Sequence, residues 1–131
     1  MFEQVTDGFV VRVEPSFLPQ ESKPEENRYV WAYSIEIENR SEEAAQLVAR
    51  HWRITDENGF TQEVRGAGVV GEQPVIQPGR SFRYTSACPL AAPSGVMMGA
   101  YSMERIDDRS AFDIAVPAFV LDSPYNTRLA N

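Results

Sequence analysis

From Tyr29 onward the apolar and aromatic side chains fall on alternate positions, Tyr29, Trp31, Tyr33, Ile35 and Ile37, with Ser34, Glu36 and Glu38 between them. A period of two is that of an extended strand with one face in a core and the other in water. A helix would need apolar residues three and four apart. Asn39-Arg40-Ser41 closes the run with turn-forming side chains. The same alternation recurs along the chain. Residues 8–15 carry Phe9, Val11 and Val13 on one face, and residues 46–55 group Val48, Trp52 and Ile54. Asp56-Glu57-Asn58-Gly59 follows, and its Asn-Gly pair predicts a tight hairpin with positive φ angles leading into residues 60–64. Residues 81–88 alternate Phe82 and Tyr84 with Arg83 and Thr85, and Pro89 with Pro93-Ser94-Gly95 predicts a turn. Residues 97–106 line up Met97, Tyr101 and Met103, and Phe112, Ile114 and Val116 form the last clear face. Beyond Pro117 the phase slips by one to Phe119 and Leu121, which predicts a bulge or an edge strand.

These segments make about seven short strands with no helix-length pattern, and two antiparallel sheets packed face to face bury every apolar face. The expected fold class is therefore all-β, a two-sheet antiparallel sandwich. With 131 residues the chain has the length of one domain, spanning residues 1–131, with a core over about 3–122 and a tail over 123–131 that is frayed or draped. A hydrophobic content of 43% and a charged content of 24% exclude a disordered or fibrous chain. At this size roughly two-thirds of the unfolded surface can be buried, so neither a disulfide nor a metal is needed as a staple. Residues 19–27, acidic and proline-containing, read as a loop.

The formal net charge is −7, from 19 acids against 12 bases. A chain with that field repels phosphate backbones, so no nucleic-acid partner is expected. No run approaches the roughly 18 apolar residues of a spanning helix, so no membrane partner is expected. The N-terminus Met1-Phe2-Glu3-Gln4 has neither a basic nor an apolar leader region. Cys88 is the single cysteine and cannot form an internal disulfide, which fits a reducing compartment. The expected localisation is cytoplasmic.

Gly66-Ala67-Gly68-Val69-Val70-Gly71 spells G-x-G-x-x-G. In a dinucleotide fold this motif opens a helix whose N-terminus holds the pyrophosphate. Here Pro74 and Pro78 follow, and Phe82-Arg83-Tyr84 stands where an acid for the ribose belongs, so a Rossmann site is excluded. A bare loop can still turn amides toward an anion, as a nest does. The candidate anion or ligand loop is Arg65, Gly66, Gly68 and Gly71, with Arg80 near in sequence and Glu72 opposing. His51 and Cys88 are single, so no nitrogen–sulfur metal site assembles within one chain, and neither a metal nor a cofactor is expected. Ser86, Cys88 and His51 have no spacing diagnostic of a nucleophilic triad. Glu36 and Glu38 share one outward strand face, which is the pattern of a solvated surface rather than of paired acid–base groups. No catalytic residue is expected.

Several motifs resemble the ApaG family. They are Arg50-His51-Trp52-Arg53-Ile54 with Asp56, Val64-x-Gly66-x-Gly68-Val69-Val70-Gly71-Glu72-Gln73-Pro74, Pro78-Gly79, Phe82-x-Tyr84-x-Ser86 and Gly95-x-Met97-x-Gly99-x-Tyr101. The resemblance covers roughly residues 3–125, and the stretch around residues 19–26 and the tail depart from it. It implies a fibronectin type III-like or immunoglobulin-like sandwich. It also implies a link to cobalt and magnesium tolerance or efflux, a frequent gene neighbourhood with a diadenosine tetraphosphate hydrolase, and, from eukaryotic relatives, a protein-interaction role. The resemblance carries no established catalytic residue set over to this chain. The expected function is a non-enzymatic binding module with an unidentified protein partner, acting as a monomer or weak homodimer. The alternative is a sensor of pyrophosphate, nucleotide or diadenosine polyphosphate using the glycine loop.

Overall fold

The computed structural model describes residues 1–125. It contains strands β1 (Phe2–Thr6), β2 (Phe9–Phe17), β3 (Tyr29–Asn39), β4 (Ala45–Asp56), β5 (Thr61–Ala67), β6 (Val75–Ile76), β7 (Ser81–Leu90), β8 (Gly95–Arg105) and β9 (Ala111–Leu121). The only helical element among the described residues is a single 3-10 turn, Pro24–Glu26, inside the segment read as a loop. One sheet has the order β1-β2-β3-β7. The other runs β5-β4-β8-β9, with the two-residue β6 pairing the start of β4. All pairings are antiparallel. This is the expected sandwich. Connections cross between the sheets after β3, before β7 and after β7, and stay within a sheet at β1–β2, β2–β3, β4–β5, β5–β6 and β8–β9.

The alternating residues meet where the two inner faces oppose. Trp31, Ile35, Ile37, Tyr101, Met97, Ile114 and Phe119 are all 2% exposed or less. Trp52 sits at the centre, edge-on to Tyr33 (5.6 Å), Tyr101 (6.1 Å) and Phe119 (6.1 Å). Such tilted contacts place the positive ring edge on the negative ring face. One buried polar side chain fastens the connections at the end of the sandwich. Asn39 donates through Nδ2 to the carbonyls of Glu43 (2.8 Å) and Ile76 (2.9 Å), and its Oδ1 accepts from Ser41 N and Oγ. It is fully buried and satisfied at both ends of its amide.

The structure departs from the sequence reading in several places. Strands β1 and β6 lie outside the expected strands. Val48 does not share a face with Trp52 and Ile54, because a register shift between Leu47 and Ala49 puts Leu47 in the core instead. The β4–β5 turn has only Gly59 at positive φ (84°) rather than an Asn58–Gly59 pair, and Asp56 Oδ1 caps it by accepting from the amides of Asn58 and Phe60. β5 does not stop at residue 64 but continues through Gly66 to Ala67, opposite Ala49. Pro89 does not end β7, because β7 is an edge strand and a proline there costs no ladder bond. At Pro117 both parts of the expectation hold. The register slips there, with Met97 facing Phe119 and Gly99 facing Val116, and β9 is also an edge strand.

The first tail residues are draped. Trp31 Nε1 donates to the carbonyl of Asp122 (2.7 Å), Ser123 Oγ donates to that of Pro93 (2.6 Å), and Tyr125 packs on Phe17 and Tyr29. The rest of the tail lies outside the described residues.

Candidate functional site

The two long sides of the sandwich differ. On one, β1 and β2 pack onto β9: the ring of Phe2 lies 6.2 Å from that of Phe119 and the ring of Phe9 5.6 Å from that of Phe112. Among the described residues no comparable packing joins β5 to β7, the edge strands of the opposite side. A groove therefore opens between them. It holds two adjoining cavities of about 290 and 200 Å³ that share Tyr33, Arg50, Trp52 and Ser86. The larger is walled by Ile54, Val64, Met97 and Pro89, and the smaller is closed by Val69, Val70, Gly71 and Tyr84.

Strand register determines which side chains face the groove. Val64 lies opposite Trp52, Gln62 opposite Ile54 and Ser86 opposite Tyr33. Directly opposed residues share a face, so these side chains point between the sheets. The floor is a phenol cluster. Tyr84 and Tyr101 hydroxyls bond to each other at 2.5 Å. Burial pushes the phenols of Tyr33, Tyr84 and Tyr101 up from the ordinary value, and the positive charge of Arg50 pulls each one partly back. Ser86 also favours ionised Tyr33. The buried thiol of Cys88 is pushed up to about 11, so this cysteine is a poor nucleophile at neutral pH.

Arg50 reaches the groove across the backbone of β5. Its Nη1 donates to the carbonyls of Ala67 (3.1 Å) and Gly68 (2.9 Å). Gly66 makes room for this approach: a Cβ there would lie 2.8–2.9 Å from the guanidinium, which would have to shift. Gly68, at φ 61°, has no room for a side chain either: a Cβ would fall 2.1 Å from the carbonyl oxygen of Glu72. The loop then turns tightly. Val69 and Glu72 exchange amide–carbonyl bonds (2.8 and 2.9 Å), and Val70 and Gly71 between them both have positive φ, 43° and 81°. Positive φ is unusual for a β-branched residue. Val69 is buried in the core, while Val70 stands 53% exposed at the groove rim.

The five residues of the sequence-based anion loop are thus only partly brought together. Gly66, Gly68 and Gly71 do form one loop beside a cation, but that cation is Arg50. Arg65 points to the outer face with its guanidinium 4.0 Å from Glu63. Arg80 is exposed, and its bonds are backbone ones, donating to Gln77 and accepting from Asn39. The amides of Gly68, Val69 and Glu72 are bonded within the protein, which leaves those of Val70 and Gly71 without a bond to the described residues. Sequence reasoning missed Arg50 as a site residue. The available signal is Gly66, two and five residues before the other glycines of the loop and on a strand that pairs with Arg50, but register across a hairpin is needed to use it.

Other surfaces carry less. The depression over Arg12 is larger, but its guanidinium is taken by Glu3 (2.8 Å), Glu36 (3.0 Å) and Glu38 (2.9 Å), and Arg83 also holds Glu36. The paired carboxylates are thus part of an ionic surface, as their position implied. His51 lies 3.6 Å from Glu63 on the outer face of β4, away from Ser86 and Cys88 in the groove. That outer face also exposes Val96, Met98 and Val120. Among the described residues no three His, Cys, Asp or Glu side chains converge as a metal site, and no helix is long and apolar enough to cross a membrane.

The sequence profile of a family described as ApaG domain matches residues 19–105. The protein named ApaG from Brucella suis biovar 1 is 54% identical over 131 residues, the full length of both chains. The crystal structure of a Bordetella pertussis protein described as ApaA superposes with a TM-score of 0.85 at 42% identity, covering 90% of this chain and 95% of that one. A second X-ray structure, of a structural genomics target, gives 0.84 at 40% identity over 92% of this chain and 91% of its own.

Proposed function

This chain belongs to the ApaG domain family, and we propose that it acts as a binding module that receives an extended segment of a protein partner in the groove between β5 and β7. The observation that supports this reading most is the groove itself. Two edge strands, each with one side of its backbone unpaired, flank a cleft with apolar walls and a positive end. Edge strands are the natural template for an added strand, with main-chain bonds giving affinity and side-chain pockets giving selectivity. The role is one of recognition without catalysis. A partner bound there also accounts for a family link to cobalt and magnesium tolerance, since an effect on cation transport then passes through the partner.

A phosphate or nucleotide sensor on residues 66–71 is the weaker reading, because three amides of that loop are already bonded and Arg65 faces the other way.

The test is affinity capture with two variants. Val64→Trp fills the groove from β5, and Met98→Glu disrupts the exposed apolar strip on the outer face. The proposal expects a partner captured by the wild type to be lost with Val64→Trp and kept with Met98→Glu. Loss with Met98→Glu alone places recognition on the outer face and overturns it.

A further inference from the structure

We infer that the groove is selective for the free C-terminus of a partner chain, with the terminal carboxylate on Arg50 and an apolar last side chain against Trp52, Ile54, Val64 and Met97. The inference rests on the binding-module reading and narrows it to one ligand chemistry.

The chain carries more acids than bases, yet Arg50 has no carboxylate within 4.0 Å among the described residues. The other described arginines in that position, Arg28 and Arg80, are exposed, whereas Arg50 is half-buried. A partly buried cation without a counter-ion is costly unless an anion completes it. Nη1 is used on two carbonyls, and the Nε and Nη2 donors have no bond to the described residues. A guanidinium with one edge free matches the two oxygens of a carboxylate.

Among the described residues Arg50 is the one cation lining the two cavities, and the other polar groups at its end are neutral: the hydroxyls of Tyr33, Tyr84 and Ser86 and the amides of Val70 and Gly71, which have no bond to the described residues. That set suits a singly charged planar anion better than a phosphate dianion, which calls for further positive charge in a protein of net charge −7. Paired backbone amides beside a cation also form the usual receptor for a chain-terminal carboxylate.

The larger cavity, continuous with the Arg50 end, is walled by Ile54, Val64, Met97 and Pro89 over Trp52. A carboxylate on the same Cα as an apolar side chain, at the end of an extended backbone, fits the cation, the neutral polar groups and the apolar walls together.

The test is an NMR titration of isotopically labelled full-length protein with N-acetyl-L-leucine and with its carboxamide, then with acetylated tetrapeptides ending in leucine as free acid or amide. The acids are expected to shift the amides of Arg50, Val70, Gly71 and Ser86, and the carboxamides to bind at least about tenfold more weakly, the usual worth of a charge-assisted bond. Arg50→Gln is expected to lose a similar factor, while the exposed Arg80→Gln keeps binding. Where Arg50→Gln disturbs the loop, Val64→Trp provides the independent check: it leaves Arg50 in place and is expected to abolish the acid-specific shifts. Equal binding of acid and amide in the groove overturns the carboxylate inference and leaves the binding-module reading standing. Shifts centred on the outer face of β8 and β9 overturn both. No response to the acids, or the same shifts from inorganic phosphate at equal concentration, overturns this inference alone.

Discussion

Glu38 shows how single residues on the outer face of the first sheet tie stability to pH. Arg40 and then Arg12, both bonded to its carboxylate, hold Glu38 below the ordinary value of 4.5. A carboxyl with a lowered folded pKa binds fewer protons in the native state, so its contribution is present above its ordinary value and is lost as pH falls through the folded one. Glu63, held low first by Arg53, and Asp108, held low by Ser110, act in the same direction. Wild type is therefore expected to lose more stability than Glu38→Gln between about pH 6 and pH 3, read by urea unfolding at each pH. Parallel stability curves would contradict the assignment. These partners were legible only as a class. That Glu36 and Glu38 lie on an outward face follows from their positions between Ile35 and Ile37, but that Arg12 sits between both acids depends on the β2–β3 register, which pairs Arg12 with Glu36.

At the scale of elements, alternation identified six of the long strands and placed the slip at Pro117, because an edge strand tolerates both the missing donor and the extra residue. It failed where the signal was short or out of phase. The β1–β2 hairpin was announced by Asp7-Gly8, both at positive φ in the structure, but Phe2 and Val5 alone do not make an alternating face. The bulge beside Val48 inverts the phase of β4 midway, so one strand carries two patterns. The glycine loop allows the sharpest test at this scale, since its glycines are needed to different degrees. A Cβ on Gly68 meets backbone at 2.1 Å, whereas one on Gly71 meets nothing within 4 Å and suffers only the strain of φ 81°. Gly71→Ala is expected to cost about 1–2 kcal/mol, and Gly68→Ala at least about 3 kcal/mol, because the Val69–Glu72 turn cannot close around it. Equal losses in denaturant midpoints would mean that the turn is not the rigid wall it is taken to be.

At the scale of the whole molecule, fold and site differ in how far a sequence reveals them. The sandwich follows from the period of two, which is local and repeated in every strand. The groove is assembled from Arg50 on β4, Val64 on β5, the turn at Val70 and Gly71, and Ser86 on β7. No local pattern joins these residues. They meet because β5 and β7 end their respective sheets on the same side, while β1 and β9 close the other. The glycines are visible in the sequence because their spacing is a recognisable motif, whereas Arg65 and Arg80 adjoin them only in sequence, which is a poor guide to nearness across sheets. Hydrogen exchange on the isolated protein and on its complex with a captured partner tests the central claim most directly. The account predicts new amide protection in β5, in β7 and at residues 69–72, with the β8–β9 outer face unchanged. Protection confined to β8 and β9, with β5 and β7 exchanging as before, would contradict it.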